Sequence, residues 1–303
     1  MILCTGESLI DMIPDGVGSF RPLPGGAVYN TTVALGRLGQ PTAYFWPISR
    51  DPFGEQLLRP LAEAGVDIDL CPRTDRLTTL AFVTLISGEA RYAFYDEGTA
   101  GRMLQVQDVP GLPDTVSALF AGGISLVPDP CGAAVEALIA REHDRLPVML
   151  DPNIRPFFIQ DAEAYRARLA RLLPMADIVK LSGDDLEWMY PELSADEAAQ
   201  KVLSLGPRIM LQTGGSSGAR ALWADGNVTA PAVRVEVADT IGAGDTFNAG
   251  VLASLHQQKV LSKDGLSQVS ADQLSAALTL GARAAAITVS RHGANPPWAH
   301  ELG

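Results

Sequence analysis

The sequence predicts an α/β fold: a mostly parallel β-sheet with helices on its faces, plus a small separate β-sheet. Two observations carry this. Short apolar runs alternate with longer helical patterns through most of the 303 residues, as in chains whose parallel strands are joined by crossover helices. Residues 77–97 break that rhythm with two strand-like runs set close together, the pattern of a hairpin.

Strands are predicted at residues 2–5, 43–47, 118–122, 147–150, 178–181 and 209–212. Several are near-continuous apolar runs, suited to burial on both faces. Helices are predicted at 27–38, 54–64, 133–141, 162–172, 196–205, 243–255 and 274–286. In the exceptional stretch, Leu80-Ala-Phe-Val-Thr-Leu-Ile86 and Ala90-Arg-Tyr-Ala-Phe-Tyr95 flank Ser87-Gly88-Glu89. With extended pieces at 12–23 they predict a small antiparallel sheet inserted into the larger fold. The length alone suggests about two domains at roughly 150 residues each; the pattern reduces this to one core with a small insert.

Composition narrows the function. With 35 Asp+Glu against 23 Lys+Arg and a net charge of −12, the chain would repel a phosphate backbone, so nucleic acid is not an expected partner. At 47% hydrophobic and 19% charged residues it is neither disordered nor disulfide-built. Cys4, Cys71 and Cys131 are odd in number, widely spaced and without a nearby His, which fits small buried hydrophobes in a reducing compartment. No basic region precedes the first apolar stretch and no apolar run reaches about 18 residues. The expectation is a cytoplasmic protein with no membrane partner. His143, His256, His292 and His300 have no partners at triad or metal spacing, and none is assigned to catalysis.

The most informative segment is Asp239-Thr-Ile-Gly-Ala-Gly-Asp-Thr-Phe-Asn248, a glycine turn running into a helical pattern. Amides at a helix N-terminus lack intrahelical partners and sit at the positive end of the dipole, so Gly242, Ala243 and Gly244 can cradle an anion without a lysine. Asp245 follows directly. A carboxylate beside an anion site makes little sense for simple anion binding, but it suits a base for a hydroxyl that attacks a phosphoryl group. Read alone, Asp245 fits a helix cap equally well. A Gly-x-x-x-x-Gly-Lys-[Ser/Thr] loop is missing, and no Gly-x-Gly-x-x-Gly follows the first strand, which removes P-loop and dinucleotide readings.

Asp239-Thr-Ile-Gly-Ala-Gly-Asp245 resembles the second signature of the ribokinase-like (PfkB) family of carbohydrate kinases. Gly25-Gly26-Ala27-Val-Tyr-Asn30 looks like the family's first signature, and Asp11 is similar to its sugar-binding Asp. Asp151-Pro-Asn-Ile-Arg155 resembles its central Asp-x-Asn-x-Arg segment. Thr213-Gly-Gly-Ser-Ser-Gly218 resembles its Thr-x-Gly-x-x-Gly nucleotide loop. Lys180-Leu-Ser-Gly-Asp-Asp185 aligns with the Asn-x-x-Glu segment that helps position magnesium, with Ser182 and Asp185 replacing Asn and Glu. A Lys-x-Ser segment is more like that of bacterial fructokinases. The resemblance covers residues 2–298 in the family's order.

The resemblance implies a ribokinase-like three-layer α/β/α core with a lid from about 12–25 and 77–97. It implies an ATP-dependent sugar kinase, with Asp245 as base and Gly242, Ala243 and Gly244 holding the transferring phosphoryl oxygens. Asp11, Gly25, Gly26, Asn30 and Arg155 would hold the sugar under Phe94 of the lid. Lys180, Ser182, Thr213, Gly215, Gly218, Gly242, Gly244 and Asn248 would face the nucleotide, and Asp185 would reach Mg2+ through water. Asp239, Ile241, Thr288, Arg291 and Gly293 align with segments that hold a monovalent cation such as K+. Fructose is the favoured substrate. Ribose, a nucleoside and 2-keto-3-deoxygluconate are alternatives, the last disfavoured because Asp96 and Glu97 stand where an arginine would be wanted for its carboxylate. A binding regulator without turnover is the non-enzymatic alternative. The lid's exposed edge predicts a homodimer.

Overall fold

The computed structural model describes residues 1–86 and 89–303, with the backbone alone over 84–86 and 89–92. The expected turn residues Ser87 and Gly88 lie outside the described residues. The first half runs β1 (Ile2–Thr5), β2 (Leu9–Pro14), β3 (Phe20–Gly25), α1 (Ala27–Arg37), β4 (Thr42–Phe45), β5 (Ile48–Ser49), α2 (Pro52–Glu63), β6 (Arg73–Thr74), β7 (Leu80–Ile86) and β8 (Glu89–Tyr95). Next come β9 (Ala118–Gly122), α3 (Cys131–Glu142), β10 (Val148–Asp151), α4 (Ala162–Leu172), β11 (Ile178–Ser182), α5 (Gly183–Met189), α6 (Ala195–Ser204) and β12 (Ile209–Thr213). The chain closes with β13 (Ala219–Trp223), β14 (Gly226–Ala230), α7 (Ala243–Gln257), α8 (Lys263–Ser267) and α9 (Ala271–Val289).

Eight strands form the main sheet, in the order β14-β13-β12-β11-β10-β9-β1-β4. From β12 to β4 every pair is parallel, while β13 and β14 add antiparallel. The central strands β1, β4, β9 and β10 are buried at every position, as their apolar runs predict. Parallel direction brings the C-terminal ends of β1, β9, β10, β11 and β12 to one edge of the sheet, where α/β folds bind ligands. Helix α7 is buried without a break from Asp245 to Leu255 and packs between α1 and α9. That burial explains its uniformly apolar, small-residue sequence and fixes its N-terminus against the sheet edge.

The second sheet has the order β3-β2-β7-β8. It differs from expectation in one pair: β2 and β7 run parallel, Ile10 opposite Leu80, and the other pairs are antiparallel. Strand β2 also starts earlier than the expected extended piece, at Leu9, which places Asp11 within the sheet. The sequence reading also lacked β13, β14, the small parallel pair of β5 and β6, and helices α5 and α8. Among the described residues no helix is long and apolar enough to cross a membrane.

Candidate active site

A cavity of about 400 Å³ opens where the edge of the main sheet faces the small sheet. Its walls include Asp11 and Phe94 from the small sheet, Gly26, Ala27 and Asn30 from the start of α1, and residues 240–245 at the start of α7. Arg155, Lys180, Ser182, Asp185 and Thr213 reach it from the strand ends. Expected site residues far apart in sequence therefore meet in one place.

The N-terminus of α7 is shaped by Gly242. Its φ of 77° is left-handed, and a Cβ there would lie 2.8 Å from the Cβ of Ala294. Only glycine satisfies both demands. The first α7 hydrogen bond runs from Thr246 N–H to Gly242 O at 2.9 Å, so the preceding amides have no carbonyl four residues back. Ala243 N–H makes a long 3.3 Å bond to Thr240 O, which leaves Gly244 the freer donor of the two.

Asp245 is buried, and its Oδ2 accepts a hydrogen bond from Asn30 Nδ2 at 2.9 Å. Thr31 Oγ1 donates to its carbonyl at 3.1 Å, locking α1 to α7. Burial, then the charge of Asp151, push the Asp245 carboxyl up to about 6 against the Asn30 bond and the charges of Lys180 and Arg155. Asp11 is pushed up to about 7 by burial and by Asp245. The reason for Gly25 is steric, since a Cβ there would fall 2.1 Å from Asp11 Oδ2.

Beneath the turn, Lys180 Nζ pairs with Asp151 Oδ2 at 3.2 Å, both side chains almost fully buried. Asn248 Nδ2 donates to the same oxygen at 2.6 Å. Asn248 is thus buried and turned toward Asp151, away from the cavity where a direct nucleotide contact was expected. Its Oδ1 has no hydrogen-bond partner among the described residues. Burial alone would lower the Lys180 ammonium, but the charges of Asp151, Asp185 and Asp245 hold it above its ordinary value. A Cβ on Gly244 would come within 3.3 Å of Lys180 Nζ, so this buried charge lies directly under the anion turn.

Asp185 has both oxygens occupied. Oδ1 accepts Ile154 N–H at 2.8 Å, and Oδ2 accepts the Ser182 amide and hydroxyl at 2.7 Å each. Ser182 in return caps α5. Thr213 lines the cavity, whereas Gly215 and Gly218 sit beyond its walls in the turn after β12. The segments around Asp239 and Thr288 lie side by side: Asp239 Oδ1 accepts Ile241 N–H at 3.0 Å and Oδ2 accepts Gly293 N–H at 2.9 Å. Thr288 is fully buried, and Arg291 N–H donates to its carbonyl at 3.0 Å.

Phe94 meets Phe158 edge-on at 4.9 Å and stacks on Phe157 at 6.2 Å between ring centres, which joins the small sheet to the loop carrying Arg155. One expectation fails. Asp96 does not face the cavity; it pairs with Arg102 at 3.2 Å and accepts from Thr79 at 3.1 Å, so it cannot discriminate against an acidic substrate. The carboxylates that do face the cavity are Glu7, Asp11, Asp185 and Asp245. Glu7, Asn153 and Phe157 were missed in the sequence. Glu7 carried a readable signal, an acidic residue just past the end of the first strand at the ligand-binding edge.

The chain matches the pfkB family of carbohydrate kinases over residues 1–301. It belongs to that family. As a pfkB-family kinase it is a phosphotransferase acting on a sugar hydroxyl. It is 49% identical over 267 residues to the fructokinase of Rhizobium leguminosarum bv. trifolii, covering 87% of this chain and 82% of that one. A fructokinase structure with bound ATP from Xylella fastidiosa superposes with a TM-score of 0.90 at 28% identity, over 99% of this chain and 96% of that one. A fructokinase variant from Vibrio cholerae O395, with fructose, ADP and a potassium ion bound, gives a TM-score of 0.86 at 26% identity, over 97% and 93% of the two chains. The three-layer α/β fold with its small sheet is the fold of these relatives.

Proposed function

We propose that this chain is an ATP-dependent fructokinase that forms fructose 6-phosphate. One observation carries the mechanism: the buried Asp245 stands between the anion turn and the sugar-side residues Asn30 and Asp11. In this reading Asp245 takes the proton of the primary hydroxyl as its oxygen bonds to the γ-phosphorus and the bond to ADP breaks. The amides at residues 242–244, with Lys180 beneath them, stabilise charge on the transferring oxygens. Asp11, Gly26, Asn30 and Arg155 orient the sugar, and Gly25 leaves room for Asp11. Thr213, Ser182 and the turn from Gly215 to Gly218 flank the nucleotide, while Asn248 acts through Asp151. The small sheet with Phe94 closes over the sugar and keeps water from competing as acceptor.

Among the described residues no three His, Cys, Asp or Glu side chains converge on a metal position. Mg2+ is therefore assigned to the nucleotide's phosphates, where it offsets their charge, with Asp185 reaching it through water. A K+ ion beside the anion turn belongs to the same reading. Its support is the adjacency of Asp239, Ile241, Thr288, Arg291 and Gly293 and the potassium bound by the Vibrio cholerae relative. The three cysteines are free thiols, in keeping with the cytoplasm. On the outer face of the small sheet, exposed Phe20 and Tyr95 flank Phe82 at 5.1 and 5.2 Å between ring centres. This apolar face supports a homodimer formed through the lid.

Coupled ADP detection with Mg-ATP tests the reading on fructose, ribose, a nucleoside and 2-keto-3-deoxygluconate. Fructose is expected to give the highest kcat/KM. Turnover of another sugar without fructose turnover overturns the substrate, and no turnover on any acceptor favours a binding regulator.

A further inference from the structure

The loop between β1 and β2 carries a carboxylate to which no role has yet been given. Glu7 is 6% exposed and lines the cavity beside Asp11. Its Oε1 accepts the Ala27 amide at the start of α1 at 3.0 Å, and its Oε2 accepts the Ser125 amide in the turn after β9 at 3.1 Å. Its own carbonyl accepts Tyr29 N–H at 3.3 Å. The surroundings are built for it: a Cβ on Gly123 would fall 2.2 Å from Oε1 and 2.3 Å from Oε2.

Each amide bonded to Glu7 belongs to a different wall of the cavity. Ala27 adjoins Gly26 and leads to Asn30, which holds Asp245; Ser125 adjoins Ile124. We infer that Glu7 is a positioning residue for the sugar: its ionised carboxylate clamps these two walls at a fixed spacing across the floor on which Asp11 binds hydroxyls. The clamp needs an acceptor on each oxygen. A neutral acid or a side-chain amide offers one acceptor and turns a donor toward the other N–H, which leaves that buried amide opposed. A carboxylate receiving two backbone N–H groups is the stronger, charge-assisted arrangement. The clamp spans the sugar end of the cavity and touches neither Thr213 nor residues 240–244, so its loss falls on the sugar and not on the nucleotide.

This inference rests on the kinase reading above, and one experiment separates the two. Wild-type enzyme and Glu7→Gln are compared for kcat and for the separate KM values of fructose and ATP, per mole of folded protein by circular dichroism. The expected result is a rise in fructose KM of about 10-fold, with ATP KM within about 2-fold of wild type. Unchanged fructose KM, or equal rises in both constants, overturns the clamp, whereas a wild type inactive on every sugar overturns the kinase reading instead. Should Glu7→Gln not fold, amide exchange in the wild type decides: fructose is expected to slow exchange at Ala27 and Ser125. Equal exchange with and without fructose overturns the proposal.

Discussion

At one end of the cavity, residues 242–244 present backbone N–H groups from a glycine turn, with the ammonium of Lys180 below. At the other end, Glu7, Asp11 and Asp245 bring three buried carboxyls whose pKa values are pushed up to about 7, about 7 and about 6. The phosphoryl end uses neutral dipoles and one paired cation. The sugar end uses acids held near neutrality by burial. The difference teaches why a chain of net charge −12 is suited to a doubly anionic co-substrate: positive potential is made locally by backbone orientation, not by the count of basic side chains.

Removing the group shared by both ends should break the comparison most completely. Asp245→Asn keeps an acceptor for Asn30 Nδ2 but cannot take a proton, so kcat should fall about 10³-fold, in the upper part of the range for general-base catalysis. Both KM values should stay near wild type. Retention of near-wild-type turnover in the folded variant would remove Asp245 as the base. In the wild type, kcat/KM should drop below about pH 6, because the carboxylate must be ionised to accept the proton.

Gly242→Ala attacks the phosphoryl end alone. Alanine meets the left-handed φ and Ala294 together. We expect kcat lower by about 10²-fold, typical of losing one well-aimed amide donor, and stability lower by roughly 1–2 kcal/mol. Sugar affinity, measured without nucleotide by calorimetry, should be unchanged; a matching loss there would mean that the two ends are not separable.

Asp11→Asn acts at the sugar end alone. The fructose KM should rise about 10-fold, as for a lost charged hydrogen bond, with little change for ATP. Stability should move the opposite way. The folded carboxyl titrates near 7 and the unfolded one near 3.8, so the wild type loses stability from Asp11 as pH rises between those values. Asp11→Asn removes that loss and should gain on the order of 2 kcal/mol over wild type at pH 8, but almost nothing at pH 4. Denaturant titrations at the two pH values measure this directly. A variant less stable than wild type at pH 8 would show that the ionised carboxylate is stabilised by contacts that outweigh its burial.

The two ends also differ in how well they could be read from the sequence. The phosphoryl end is written locally: Asp239 to Asp245 is one segment, and its glycines, helix start and acid are adjacent in the chain. The sugar end is assembled from β2, α1, the turn after β9 and the loop after β10. Asp11 and Asn30 were legible through motif resemblance, but Glu7 was not, because its partners Ala27 and Ser125 are backbone amides and carry no side-chain signature. Asp96 shows the converse. Its sequence position beside the lid strand suggested the cavity, and only the ion pair with Arg102 shows it turned away. In the fold, the parallel strands were legible from their apolar runs. Strands β13 and β14 were not, since their exposed turn-side residues dilute the pattern at the sheet's edge.

The smallest effect should come from Phe94→Ala, which tests whether the sugar end depends on its apolar cover as well as on its acids. Phe94 packs on Phe157 and Phe158, so its truncation loosens the small sheet over the cavity without touching Asp11 or Asp245. Loss of one ring–ring contact is worth about 1 kcal/mol, which predicts a rise of roughly 5-fold in fructose KM. If closure excludes water, the variant should also form more ADP than sugar phosphate, and a product ratio near one would limit Phe94 to packing. Tyr95→Ala, on the opposite face of the same strand, supplies the contrast: it should leave the kinetics alone and weaken self-association in sedimentation. A kinetic loss at Tyr95 equal to that at Phe94 would mean that the sheet responds as a unit, and the closed face would then be no part of sugar recognition in its own right.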